Sequence, residues 1–169
     1  MTRNVEEVIG KFFDKVEEDR DFFAYYGVEE AEALAIAQER AQSYLREAIV
    51  YMRRQQELDF TLGLTTDEKG TIVFVDGITD VEADLLSEIM LMHYLERGYA
   101  KLKPKINVLS STDLKVLHSP ANERTSYVSM IDNVREHVYA MLSHYAAIDR
   151  NTGRRKMMSS YGTFEAEGY

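Results

Sequence analysis

Apolar positions recur along this chain at spacings of three and four residues, which keeps them on one face of an α-helix. The longest such stripe lies near the end: Tyr127, Met130, Ile131, Val134, Val138, Met141, Leu142, Tyr145 and Ile148. It predicts a helix from Ser119 to Ile148, roughly 45 Å long at the α-helical rise. Ser119-Pro120 supplies an N-cap hydroxyl followed by proline at the first helical position. The stop is Asp149-Arg150-Asn151-Thr152-Gly153, whose glycine suits a left-handed cap.

Similar patterns predict three more helices. Val5, Val8, Ile9, Phe12, Phe13 and Val16 mark a short first one, weakened by Gly10 at about 1 kcal/mol relative to alanine. Asp19-Arg20-Asp21 interrupts it, and Phe22-Phe23-Ala24-Tyr25-Tyr26 follows as a dense aromatic cluster before Gly27. A second helix is expected from about Val28 to Gln56, with the stripe Leu34, Ala37, Ala41, Tyr44, Leu45, Ala48, Ile49 and Met52. Glu29, Glu30 and Glu32 load its first turn and Arg53 and Arg54 its last, both matching the helix dipole. A third begins at Thr79, where Thr79 and Glu82 have the spacing of a capping box. Its apolar face is Val81, Leu85, Leu86, Ile89, Met92 and Leu95, and it is expected to end near Gly98 or Leu102, before Pro104.

Between the second and third helices the period changes. Residues Asp59 to Gly77 contain three glycines and the β-branched run Ile72-Val73-Phe74-Val75, which reads as one extended strand or an ordered loop. A lone strand does not stabilise itself, so it needs Phe60–Leu64 as a hairpin partner or another chain. Beyond residue 153 come Arg154-Arg155-Lys156 and a polar, glycine-containing stretch with Tyr161, Phe164 and Tyr169. No repeat or linker divides the chain. The expected fold is mostly α: a small helical bundle over residues 1–153 with an extended insertion at about 59–77, and a projecting C-terminal tail over residues 154–169.

Composition narrows the setting. The chain has 169 residues, 45% of them hydrophobic, enough for one packed core. No apolar run approaches membrane-spanning length, so no membrane role is expected. The N-terminus shows no secretory pattern, which favours synthesis in the cytoplasm. Cysteine is absent, which removes disulfide and thiolate chemistry. The net charge of −9 argues against a free-standing nucleic-acid binder. It fits either a plain solubilised surface or one that stays clear of DNA passing beside it.

Chemical motifs are scarce. Carboxylates are scattered, and no Glu-x-x-His pair of the di-iron type occurs; the nearest spacing is His93-x-x-Glu96, reversed and unrepeated. His137 and His144 share a helix face and read as interfacial or partly buried side chains. Nucleophile-elbow, dinucleotide and phosphate-loop signatures are missing. Neither a catalytic residue, nor a metal site, nor a cofactor is therefore expected, and the chain is not read as an enzyme. The Phe22–Tyr26 cluster reads first as a core plug and second as an exposed anchor. Tyr161, Phe164 and Tyr169 cannot form a helical stripe; they belong to a disordered end or to a segment lying in a neighbour's groove.

Several segments carry a resemblance. They are Asp21-Phe22-Phe23-Ala24-Tyr25-Tyr26, Arg40-Ala41 with Tyr44-Leu45, Asp84-Leu85-Leu86, Tyr94-Leu95-Glu96-Arg97, Ala100-Lys101-Leu102-Lys103, Ser119-Pro120-Ala121-Asn122-Glu123-Arg124 and Asp149-Arg150-Asn151-Thr152-Gly153. Together they resemble the head–tail connector, or adaptor, proteins of long-tailed bacteriophages. The likeness covers most of residues 19 to 156, and each of its motifs is a packing or capping pattern.

That resemblance implies a helical bundle repeated as a ring of about twelve copies, located in the virion neck. Such a ring sits below the portal protein, contacts the next neck or head-closure protein, and leaves a channel through which DNA passes without specific binding. It also implies that a terminal arm grips the portal or an adjacent subunit. This assigns partner binding to Arg154, Arg155, Lys156, Tyr161, Phe164 and Tyr169. Asp67, Glu68 and Asp76 become candidates for facing the channel, where carboxylates repel phosphate. The alternatives are a head-closure or tail-completion protein, or a small helical regulatory protein. The isolated chain is expected to be monomeric or weakly associated, with residues 154–169 ordering only on assembly.

Overall fold

The computed structural model describes residues 2–17, 20–23, 25, 27–108 and 120–156. Their order is β1 (Thr2–Asn4), α1 (Val5–Val16), α2 (Arg20–Phe23), α3 (Glu30–Gln55), β2 (Leu64–Thr66), β3 (Ile72–Ile78), α4 (Asp80–Val108) and α5 (Pro120–Ala146). The protein is mostly helical with a small antiparallel sheet, as the periodicity predicts.

Helix α4 is the centre of the bundle: α1, α3 and α5 all pack on it. Its start follows the capping box. The Thr79 amide donates to Glu82 Oε2 at 2.7 Å, and the Glu82 amide donates to Thr79 Oγ1 at 3.3 Å. Leu85, Leu86, Ile89, Met90 and Met92 then carry the core along the helix. At α1, the Asn4 side chain accepts from the Glu6 amide at 2.9 Å, while Lys11 and Lys15 pair with Asp84 and Glu88 of α4.

The aromatic cluster is a plug. Phe22 is fully buried, with its ring centroid 5.5 Å from those of both Phe12 and Tyr94, in edge-to-face contact. The Arg40 guanidinium lies 4.5 Å from the Phe22 ring centroid and closes one side. Ala24 and Tyr26 lie outside the described residues.

Several expectations need correction. The extended insertion holds no unpaired strand. β3 is the middle of three, with β1 and β2 antiparallel on either side. The paired strand β2 lies at Leu64–Thr66, so the ladder overlaps the expected Phe60–Leu64 partner only at Leu64, although the Val75 amide of β3 also donates to the Gly63 carbonyl at 3.0 Å. Both edges of β3 are satisfied within the chain, which removes the lone strand as an argument for assembly.

Leu34, Val81 and Met130, placed on apolar stripes, are exposed, and Ala33 is buried in α3 instead. Residue type alone places them on a stripe, but the helices that pack on each element decide which side is covered. Helix α4 does not stop at Gly98 or Leu102 but continues through Pro104 to Val108. Gly98 is a packing site, not a terminator: a Cβ there would collide with the Tyr127 hydroxyl of α5. Pro104 takes a donor out of the helical ladder, yet the helix runs on for four more residues. Helix α5 stops at Ala146, short of Ile148, so Gly153 does not cap it. Among the described residues no helix is long and apolar enough to cross a membrane.

Candidate functional site

After α5 the chain does not run straight out. Ile148 pairs antiparallel with Arg155. The Asp149 amide donates to the Arg154 carbonyl at 2.8 Å, and the Lys156 amide to the Ala147 carbonyl at 2.8 Å. Gly153, at φ +66°, makes the reversal. The Asp149 carboxylate accepts from the Thr152 hydroxyl at 2.7 Å and from the amides of Thr152 and Asn151. Those bonds, led by the Thr152 hydroxyl, hold its carboxyl below the usual range. Residues 147–156 are thus a small hairpin, and the basic run is its returning strand.

The hairpin is fastened to the body by Arg150. Its Nε donates to Glu82 Oε1 at 2.7 Å, and its Nη2 donates to the Gly77 carbonyl at 2.7 Å. The guanidinium carbon also stands 3.6 Å from the Phe60 ring centroid. Tyr145 adds a hydroxyl bond to Glu82 Oε1 at 2.6 Å. Glu82 is 0% exposed and the Arg150 side chain 10%. Burial is the largest single influence on the Glu82 carboxyl and pushes it up. The bonds from Arg150, Tyr145 and Thr79 together outweigh it, so the group is held below its ordinary value. Burial, then the bond to Glu82, pushes the Tyr145 phenol up.

A carboxylate with both oxygens engaged and its charge matched is a poor base and a poor nucleophile. The cluster therefore works as a clasp. It joins the β3–α4 junction to the hairpin that carries the basic run.

Arg154, Arg155 and Lys156 are brought together on that hairpin, all exposed, and none forms an ion pair among the described residues. Tyr161, Phe164 and Tyr169 lie outside the described residues. Asp67 and Glu68 meet at the tip of the β2–β3 hairpin, with Asp76 near the far end of β3. Two of these three have local work. Asp67 Oδ1 accepts from the amides of Lys69 and Thr71 at 2.9 and 2.8 Å, and Asp76 Oδ2 accepts from the Thr61 amide at 2.6 Å. Glu68 is exposed and makes no such bond among the described residues.

The described histidines are separate. His93 Nδ1 is 3.6 Å from Glu96 Oε2, His137 Nε2 is 4.0 Å from Glu88 Oε1, and His144 is exposed. Among the described residues no three His, Cys, Asp or Glu side chains are placed to hold a metal ion. Sequence reasoning gave Glu82 only its capping role and Arg150 only a place in a turn. No local spacing connects them. In comparisons with known proteins, the chain matches no family model, no curated protein and no solved structure.

Proposed function

We propose that this chain is a structural component of a bacteriophage neck, a ring-forming connector below the portal that leaves a channel for DNA. The observation that carries the reading is the clasped hairpin. Arg150 fixes the place from which Arg154-Arg155-Lys156 and the following segment leave the body. A segment meant to grip a neighbour gains from a fixed origin, because fewer orientations are lost on binding. The net charge of −9 suits a wall beside moving DNA. The segments that resemble connector proteins include the turn from Asp149 to Gly153, which carries Arg150.

In this reading residues 154–169 contact the portal or an adjacent copy. Asp67, Glu68 and Asp76 are the candidates for the lumen, with Glu68 the one whose charge has no local role. Negative-stain imaging of purified protein, with and without a portal ring, is the test. Rings that appear only with the portal support the proposal. A tight dimer that forms without portal through a two-fold interface overturns it.

A further inference from the structure

We propose that an exposed groove on α3 is the receptor for residues Phe164–Tyr169 of a second copy of this chain. The inference rests on the connector reading and names the surface that takes the tail. The groove is lined by Arg46, Glu47, Val50, Tyr51 and Arg54 of α3 and by His93 of α4. Two features mark it as a binding surface. Val50 is 45% exposed, an apolar side chain at the groove's centre. Arg46 and Arg54 have no acidic partner among the described residues, whereas the carboxylate of the lining residue Glu47 is already paired with Arg97.

The charge is unusual for this chain. On a protein of net −9, α3 carries Glu30 and Glu32 in its first turn and Arg46, Arg53 and Arg54 against the single acid Glu47 in its last part. The segment Phe164-Glu165-Ala166-Glu167-Gly168-Tyr169 complements it with two carboxylates between two aromatic rings. The lengths also agree. From residue 43 to 54 a helix rises about 17 Å, and an extended strand from 164 to 169 covers about 17 Å. Glu165 and Glu167 meet Arg46 and Arg54, and an aromatic ring covers Val50 and Tyr51. Passing the tail from copy to copy makes a heterologous contact, the kind that closes rings.

The chain has no native cysteine, so two single-cysteine full-length variants give a clean test. Val50→Cys on one and Ala166→Cys on the other are mixed under mild oxidation and read on a non-reducing gel. The expected result is a heterodimer at least about tenfold more abundant than with Leu34→Cys, an exposed control on the same helix. Arg46→Glu with Arg54→Glu on the groove chain should cut the yield by about tenfold. Glu165→Arg with Glu167→Arg on the tail chain should then restore it, which also shows that the groove variant is folded. Equal yields from positions 50 and 34 overturn the proposal, as does indifference to charge reversal. An internal cross-link in a doubly substituted chain, with none between mixed chains, overturns it too. If cross-linking fails while deletion of the tail still blocks incorporation into heads, the groove is wrong and the connector reading stands. If cross-linking succeeds and no ring forms on the portal, the reverse holds.

Discussion

Arg150 and Glu82, 68 positions apart in the chain, meet in a buried ion pair that ties the C-terminal hairpin to the start of the central helix. Removing one partner of such a pair leaves an uncompensated charge away from water, which costs about 3–5 kcal/mol. Arg150→Ala should lower the melting temperature by about 10 °C at this chain length. Replacing both partners with apolar residues, as in Glu82→Leu with Arg150→Met, should cost clearly less than the sum of the single changes. A urea double-mutant cycle decides; additive costs would mean that the two residues act independently.

The same pair sets a pH dependence. Because the folded state holds the Glu82 carboxyl below its ordinary value of 4.5, its stabilisation is complete above that value. It is lost as pH falls through the lower folded value. Without Arg150, burial dominates and the carboxyl moves up. The stability gap between wild type and Arg150→Ala should therefore be full at neutral pH and narrow below about pH 4. Unfolding curves from pH 7 to pH 3 measure it, and a gap that widens with acid contradicts the assignment.

Gly98 tests the α4–α5 contact. Alanine is favoured over glycine in a helix by about 1 kcal/mol. In the wild type that gain should be cancelled or reversed, because the new Cβ meets the Tyr127 hydroxyl. In a Tyr127→Phe background the oxygen is gone, and Gly98→Ala should stabilise by about 1 kcal/mol. Equal effects in both backgrounds would show that the helices do not approach there.

Neutralising the three hairpin carboxylates should separate local structure from charge. Asp67→Ala and Asp76→Ala each lose backbone hydrogen bonds and should destabilise by about 1 kcal/mol. Glu68→Gln should leave stability within about 0.5 kcal/mol. If Glu68 faces the channel, Glu68→Lys should slow DNA ejection from assembled particles more strongly at low salt than at high.

Deleting residues 157–169 should leave the melting curve of the isolated chain nearly intact, because the core lies within residues 5–142. It should weaken incorporation into heads, and Tyr161→Ala with Phe164→Ala should reproduce part of that loss. Infectious particles at normal yield from the truncated chain would end the partner-binding role of the tail.

Local signals made part of this fold legible. Thr79 and Glu82 could be paired because a capping box spans three residues, and Phe22 could be placed in the core because aromatic density there has few other uses. What escaped was non-local or depended on counting turns. Thr2–Asn4 is too short to read as a strand until Ile72–Ile78 lies beside it. Leu34 and Val81 are apolar in type, but only the packing of neighbouring helices decides which way they turn. Gly98 and Pro104 look like stops, yet the close approach of α5 uses the first, and the helix runs past the second. The candidate site was half visible. The exposed basic run follows from residue type, whereas the Arg150 clasp that positions it joins two turns with no shared spacing.

The clasp also defines a load path. Tension applied beyond Lys156 reaches the Lys156–Ala147 and Asp149–Arg154 backbone bonds first, then the Arg150 guanidinium, and through Glu82 the N-terminal turn of the central helix. Pulling therefore does not peel α5 away one turn at a time. It must break a charge pair shielded from water before the bundle feels the force, so the hairpin should yield abruptly at a threshold and hold its geometry below it.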